Sequence, residues 1–89
     1  MNLSEIKRGM PVYVRGRDQA VGKLVASVDH LDDEKYIKLR RRDSPDGRHH
    51  WIPTTWVDLV RNEAIILNKT DQQYREEVLD ALPTSQTPN

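Results

Sequence analysis

Residues 43–57 read Asp-Ser-Pro-Asp-Gly-Arg-His-His-Trp-Ile-Pro-Thr-Thr-Trp-Val, and this stretch decides the fold prediction. Its Ser-Pro-Asp-Gly segment, residues 44–47, predicts a tight turn. Proline presets φ there, aspartate bonds its local backbone, and glycine supplies a positive φ. A strand is expected from Arg48 to Ile52, and Pro53 ends it. The stretch holds two adjacent histidines and both tryptophans but no catalytic motif.

Apolar residues alternate with polar ones on both sides of this stretch, which predicts further strands. A hairpin loop is expected at residues 32–34, and Gly22 indicates a bulge or a close approach of two backbones. Residues 54–60 fit either a helical turn or a bent strand, and residues 64–68 fit a last short strand. The positions predicted to face inward are Val12, Val14, Leu24, Ala26, Val28, Ile37 and Leu39. Such spacing predicts a small antiparallel barrel or sandwich of five or six strands.

The end of the chain has a different pattern. Thr70 and Gln73 have the spacing of a capping box, which marks the start of a helix. An apolar stripe then follows at helical spacing, and Pro83 is expected to stop the helix. The stripe consists of Tyr74, Val78, Ala81 and Leu82. The sequence therefore predicts a β domain over residues 1–69, a helix packed on it over 70–82, and a disordered tail over 83–89.

Composition restricts the functional classes. The 89 residues suit one domain, and the formal net charge of zero gives no overall field toward nucleic acid or membrane. Cysteine is absent, which excludes thiolate metal sites and cysteine nucleophiles. No secretion signal and no apolar run of membrane-spanning length is visible. A cytoplasmic protein is the expectation.

Several segments resemble the PRC-barrel superfamily. They are Ile6-Lys7-Arg8-Gly9-Met10-Pro11-Val12, Val21-Gly22-Lys23-Leu24, Tyr36-Ile37-Lys38-Leu39 and the run from Asp46 through Pro53 to Trp56-Val57. Over roughly residues 5–68 the chain is similar to a small bacterial PRC-barrel-like family, domain of unknown function 2171. The resemblance implies a small antiparallel β-barrel of about six strands with a C-terminal α-helix. It also implies protein partners, as in related domains of a photosynthetic reaction centre and a ribosome-maturation factor, and no catalytic residues.

The first functional hypothesis is accordingly a non-enzymatic protein-interaction or adaptor module without a cofactor. Zero net charge does not oppose a homodimer, formed by a strand edge or by the tryptophan-bearing face. The candidate partner-binding residues are Arg48, His49, Trp51 and Trp56. Because phenylalanine is absent, burial of both tryptophans in the core is a competing interpretation.

The second hypothesis is an RNA- or ribosome-associated accessory domain that uses the basic strand. Its candidate residues are Lys38, Arg40 and Arg42, with Arg41 beside them. Phosphate backbone suits such a cluster. However, no aromatic interleaving is evident along this strand, and neighbouring acidic residues can neutralise it. A solvated strand face is therefore the favoured interpretation of these basic residues.

The third hypothesis is a small metal-binding domain that uses His30 with His49 or His50. Adjacent residues of a strand point to opposite faces, so His49 and His50 cannot both ligate one ion from a regular strand. Zinc needs three or four convergent ligands. The sequence therefore predicts no metal site. It favours a structural role, in which one histidine bonds Asp43 or Asp46 and orients the hairpin.

Overall fold

The computed structural model describes residues 3–16 and 20–82, which form a mainly β structure. The strands are β1 (Pro11–Arg15), β2 (Val21–Asp32), β3 (Tyr36–Leu39), β4 (His50–Pro53), β5 (Val57–Arg61) and β6 (Ala64–Thr70), and the helix α1 covers Asp71–Glu77. Residues 54–60, which fitted two interpretations, contain both: a 3-10 turn over Thr54–Trp56 leads into β5. The predicted hairpin loop is confirmed between β2 and β3, where Asp33 and Glu34 have positive φ.

The six strands form one mixed sheet in the order β4-β3-β2-β1-β6-β5. Sequential neighbours pair antiparallel, but β1 pairs parallel with β6. The prediction of a closed, all-antiparallel barrel was therefore wrong. Short turns force hairpin neighbours to run antiparallel, whereas four strands separate β1 from β6, so no turn fixes their direction. The 3-10 turn connects the two edge strands, β4 and β5, but they form no ladder with each other.

Strand β2 pairs with both halves of the sheet, and its register shifts at three points: between Val21 and Leu24, at Val25 and at Asp29. Val12 lies opposite Ala26 while Tyr13 lies opposite Leu24, so Val25 is an extra residue. Asp29 is a second extra residue, because Val28 and His30 on either side of it pair with the adjacent residues Leu39 and Lys38 of β3. Each bulge shifts the alternation of side chains by one position. Leu24 is consequently 55% exposed, and its predicted inward orientation was wrong.

The core lies on the inward face of this curled sheet and draws on every strand. Most members are aliphatic, because the chain lacks phenylalanine. Trp56 fills the core as its largest side chain and is 8% exposed. The buried aliphatic members are Ile6, Val12, Val14, Ala26, Val28, Ile37, Leu39, Ile52, Val57, Ile65 and Leu67, and Met10 joins them. Six of the seven predicted inward positions are confirmed, and Leu24 is the exception.

Helix α1 begins with the predicted capping box. The Gln73 amide donates to Thr70 Oγ1 at 3.2 Å, and the Thr70 amide donates to Gln73 Oε1 at 2.9 Å. The helix ends at Glu77, short of the predicted 70–82, because Val78 adopts an extended conformation with ψ of 142°. Tyr74 and Val78 pack against the core, so the short helix covers the sheet.

After the helix, the chain returns to the sheet edge. Leu79 and Trp51 exchange two backbone hydrogen bonds, each 2.9 Å long, in an isolated antiparallel bridge. This bridge competes with continuation of the helix, since extended backbone is needed at residues 78 and 79. The predicted disordered tail, 83–89, lies outside the described residues.

We predict that Gly22→Ala destabilises the fold by about 1–3 kcal/mol through overpacking. A Cβ at Gly22 would lie 2.8 Å from the Gly16 nitrogen and 3.0 Å from the Val14 oxygen, both backbone atoms that cannot move away freely. Gly16→Ala is the matched control, since its Cβ would meet nothing closer than 3.4 Å. Urea unfolding should rank the variants in that order, and equal midpoints for both would contradict the close approach.

We predict that stability falls as the pH rises from 10 toward 12, in part through Tyr74. Burial, followed by the nearby charges of Asp43 and Asp71, raises the pKa of Tyr74 to about 12. An unfolded tyrosine ionises near pH 10. The unfolded state therefore loses this proton first, and deprotonation favours unfolding. In Tyr74→Phe, urea unfolding should show a shallower alkaline decline than in the wild type. Parallel declines would disprove the assignment to Tyr74.

Candidate binding face

The solvent side of β2, β3 and β4 carries most of the residues that the sequence suggested as sites. In β3, Ile37 and Leu39 are buried, so Tyr36 and Lys38 point to the other side, and Arg40 follows them. Lys38 pairs with Trp51 of β4 on one side and with His30 of β2 on the other. We call this surface the outer face, and it comprises His30, Tyr36, Lys38, Arg40, His49 and Trp51.

Trp51 lies across the middle of the outer face. Its Nε1 donates to Asp32 Oδ2 at 2.8 Å. Since Trp51 belongs to β4 and Asp32 to β2, the indole extends over the intervening strand β3. Lys38 Nζ lies over the ring, 5.7 Å from its centroid, and the His49 ring centroid is 6.4 Å from that of Trp51. Asp32 Oδ1 also lies 3.2 Å from His30 Nε2, so one carboxylate orients two aromatic rings.

One end of the outer face is strongly cationic. Arg8, Arg40, Arg41, Arg42 and His49 line a groove of about 440 Å³ together with Asp29. Asp29 is 18% exposed at its side chain, and its nearest basic atoms are Arg8 Nε at 3.7 Å and the Nδ1 atoms of His30 and His49, each at 3.8 Å. Within the described part of the chain, Arg40, Arg41 and Arg42 have no ion pair with a carboxylate. We call these four arginines and His49 the arginine end.

The structure brings the two sets of sequence-based site residues onto one surface. His49 and Trp51, suggested for a protein partner, share the outer face with Lys38 and Arg40, suggested for nucleic acid, and Arg42 lines the arginine end. Arg48 is exposed in the preceding turn. Trp56 is separate from them, because it lies in the core with Lys69 Nζ 5.0 Å from its ring centroid.

Two members of this surface escaped the sequence interpretation. Tyr36 has the same parity as Lys38 and could have been found by extending the β3 alternation by two residues. Arg8 comes from the segment before β1, and only the tertiary structure brings it to the arginine end.

His50 is on the opposite, inward side of β4 and orients the preceding turn. Its Nε2 lies 3.1 Å from Asp46 Oδ1, and its Nδ1 lies 3.2 Å from Asp80 Oδ1. The predicted bond from a histidine to Asp46 is therefore confirmed. The Ser44 hydroxyl, then His50 and the Arg48 amide, hold the pKa of the Asp46 carboxyl well below its usual range. His50 and Asp46 therefore have a structural role, which is to stabilise this turn.

Each histidine has a different hydrogen-bond partner, although His30 Nδ1 and His49 Nδ1 both lie 3.8 Å from a carboxylate oxygen of Asp29. His30 faces Asp32, the His49 Nδ1 lies 3.0 Å from the Leu39 carbonyl oxygen, and His50 faces Asp46. Across residues 3–16 and 20–82, no group of three or more histidine or carboxylate side chains is placed to hold a metal ion. The described residues therefore offer no site for the metal-binding hypothesis.

A family model described as an uncharacterised protein conserved in bacteria, DUF2171, matches residues 6–75. The chain belongs to the DUF2171 family. The match includes all six strands, the arginine end and the outer face, and it stops within α1. No curated protein and no solved structure matches this DUF2171 chain. None of the helices in the described ranges is long and apolar enough to cross a membrane.

We predict that Gly47→Val destabilises the hairpin that presents the outer face by roughly 1–2 kcal/mol, because left-handed backbone is strained for a β-branched residue. Gly47 has a φ of +69°, as predicted, and a Cβ placed on it would have no neighbour within 4 Å, so the backbone alone causes the cost. Gly47→Asn is the control, since asparagine tolerates this conformation. Thermal unfolding should place asparagine above valine, and equal midpoints would refute the argument.

Proposed function

We propose that this DUF2171 chain is a non-enzymatic protein-interaction module of PRC-barrel type that self-associates through strand β5. The supporting observation is that the sheet is open, with edge strands that are protected unequally. The quoted sequence segments, together with a curled six-stranded sheet and a terminal helix, support the relationship to PRC-barrels. Because the sheet is not closed, its edge strands have backbone N–H and C=O groups that a closed barrel would pair.

The two edges differ in what covers them. At the β4 edge, Leu79 pairs with Trp51. At the other edge, β5 pairs with β6 on one side and, among the described residues, with no strand on its outer side. Unpaired N–H and C=O groups of an edge strand are a template for another strand. The β5 edge is therefore the favoured place for a second copy.

The side chains of β5 are compatible with such pairing. Leu59 is partly exposed and does not belong to the core cluster, so part of its apolar surface is accessible to a second copy. The zero net charge of the chain provides no general repulsion between copies. Antiparallel pairing of β5 with its symmetry copy gives a closed twofold dimer and a sheet that continues through both copies.

The contacts of the hydroxyl groups support a non-enzymatic role. The Ser27 hydroxyl donates to Asp43, and the Ser44 hydroxyl donates to Asp46. Thr54 Oγ1 donates to backbone carbonyls of Glu34 and Lys35 at 3.2 Å. A serine or threonine nucleophile requires a base such as histidine within hydrogen-bond reach. These hydroxyls instead stabilise turns and strand ends.

Sedimentation velocity tests the self-association. We expect the wild-type protein to approach twice its monomer mass between about 10 µM and about 1 mM, and Leu59→Lys to raise the dissociation constant at least about tenfold. A lysine on an edge strand opposes pairing, and Leu59 lies outside the core cluster, so folding should persist. Arg61→Lys, a neighbouring change that keeps the charge of β5, is the control. A wild-type protein that remains monomeric over this range would exclude the proposed dimer.

A further inference from the structure

We infer that the outer face binds single-stranded nucleic acid, with a base stacked at Trp51 and backbone phosphates at the arginine end. This activity is additional to the proposed self-association, because the outer face lies on β2, β3 and β4 while the proposed dimer uses β5. The two proposals can therefore fail independently.

The first supporting observation is that aromatic rings and a lysine alternate across β3 and β4. Tyr36 and Lys38 follow each other on the outer side of β3, and Trp51 lies beside Lys38 on β4. A sheet surface with exposed aromatic rings between basic residues is the arrangement on which unpaired bases stack. The sequence of β3 alone did not reveal this, because the tryptophan comes from the neighbouring strand.

The second observation is that the indole is held in place before any ligand arrives. The hydrogen bond from Trp51 Nε1 to Asp32 holds the ring over β3, and the Leu79 bridge fixes the Trp51 backbone. A platform that is already ordered loses little conformational entropy when a base stacks on it. Asp32 therefore acts as a positioning residue for Trp51.

The third observation is the excess of positive charge at the arginine end. Four arginines converge there from two separate segments, residue 8 and residues 40–42, around the single carboxylate of Asp29. Guanidinium groups match phosphate oxygens in a bidentate geometry. In the described ranges Arg40, Arg41 and Arg42 form no ion pair with a carboxylate, so an incoming phosphate would not have to displace one.

The distribution of charge also orients the strand. Asp32, Asp33 and Glu34 lie at the hairpin end of β2 and β3, whereas the arginines lie at the other end. Phosphates are therefore attracted to one end and repelled from the other. Lys38, now over the indole, can turn toward a phosphate when a base takes its place. Because duplex bases are stacked within the helix, this arrangement favours a single strand over a duplex.

Fluorescence anisotropy on the full-length protein tests the proposal. The probes are labelled oligouridylate and oligodeoxyuridylate of about 12 nucleotides, which differ only in the sugar, a duplex of the same length, and poly-L-glutamate as a competitor. We expect either single strand to bind at least about tenfold more tightly than the duplex, with a slope of log K against log salt near −2 for about three phosphate contacts. The ratio of the two single-strand affinities identifies RNA or DNA as the ligand.

Two tryptophan variants separate stacking from packing. Trp51→Leu and Trp51→Phe both remove the hydrogen bond to Asp32, but only phenylalanine keeps an aromatic face. We expect Trp51→Leu to bind roughly 5- to 100-fold more weakly than the wild type and Trp51→Phe to keep most of the affinity. Circular dichroism verifies that each variant is folded. Equal affinities of two folded variants would overturn the stacking at Trp51.

A double variant of two arginines and a matched control test the arginine end. This test does not depend on whether the tryptophan variants fold. Arg41 and Arg42 are exposed, and we expect their double replacement by alanine to reduce the magnitude of the salt slope by about 1.4. The control is Lys23→Ala with Arg75→Ala, which removes two charges that lie against Asp71 on α1. Equal slopes for both double variants would overturn the proposal, as would absence of binding at low salt or equal competition by poly-L-glutamate.

Discussion

The requirement that β2 pair with two different partners determines most of this structure. Its first half pairs with β1 and its second half with β3, and one core must lie beneath both halves. A regular strand of this length would keep one parity throughout. The extra residues at Val25 and Asp29 instead change the parity, so that Leu24 and His30 are exposed although Ala26 and Val28 are buried. The shift at Asp29 therefore also brings His30 to the outer face.

Local patterns in the sequence predicted the elements better than their arrangement. The turn at Gly47, the capping box and six of the seven inward positions depend on neighbours in the chain, and they were found. The parallel pairing of β1 with β6 and the open edges depend on contacts between distant segments, which alternation does not encode. The helix was predicted too long for a similar reason. The stripe at helical spacing was present, but pairing of Leu79 with β4 competed for the same residues.

The candidate site shows the same limit. The sequence suggested a tryptophan-bearing set and a basic set as separate hypotheses, because each was assessed along its own strand. Antiparallel pairing of β3 with β4 places Lys38 opposite Trp51, which unites them. Trp56 could not be distinguished from Trp51 by composition, and only packing shows that it lies in the core. Arg8 carries no local signal at all, since its position at the arginine end follows from the path of the whole chain.

In the backbone bridge between Leu79 and Trp51, Leu79 lies beyond the region that the family model matches. The family match stops at residue 75, four positions before Leu79. A fragment trimmed to the limits of the family would retain all six strands, yet it would uncover the N–H and C=O groups of a strand that carries an aromatic side chain. Uncovered, apolar edges of this kind promote aggregation. The covering of the β4 edge thus depends on residues outside the matched region.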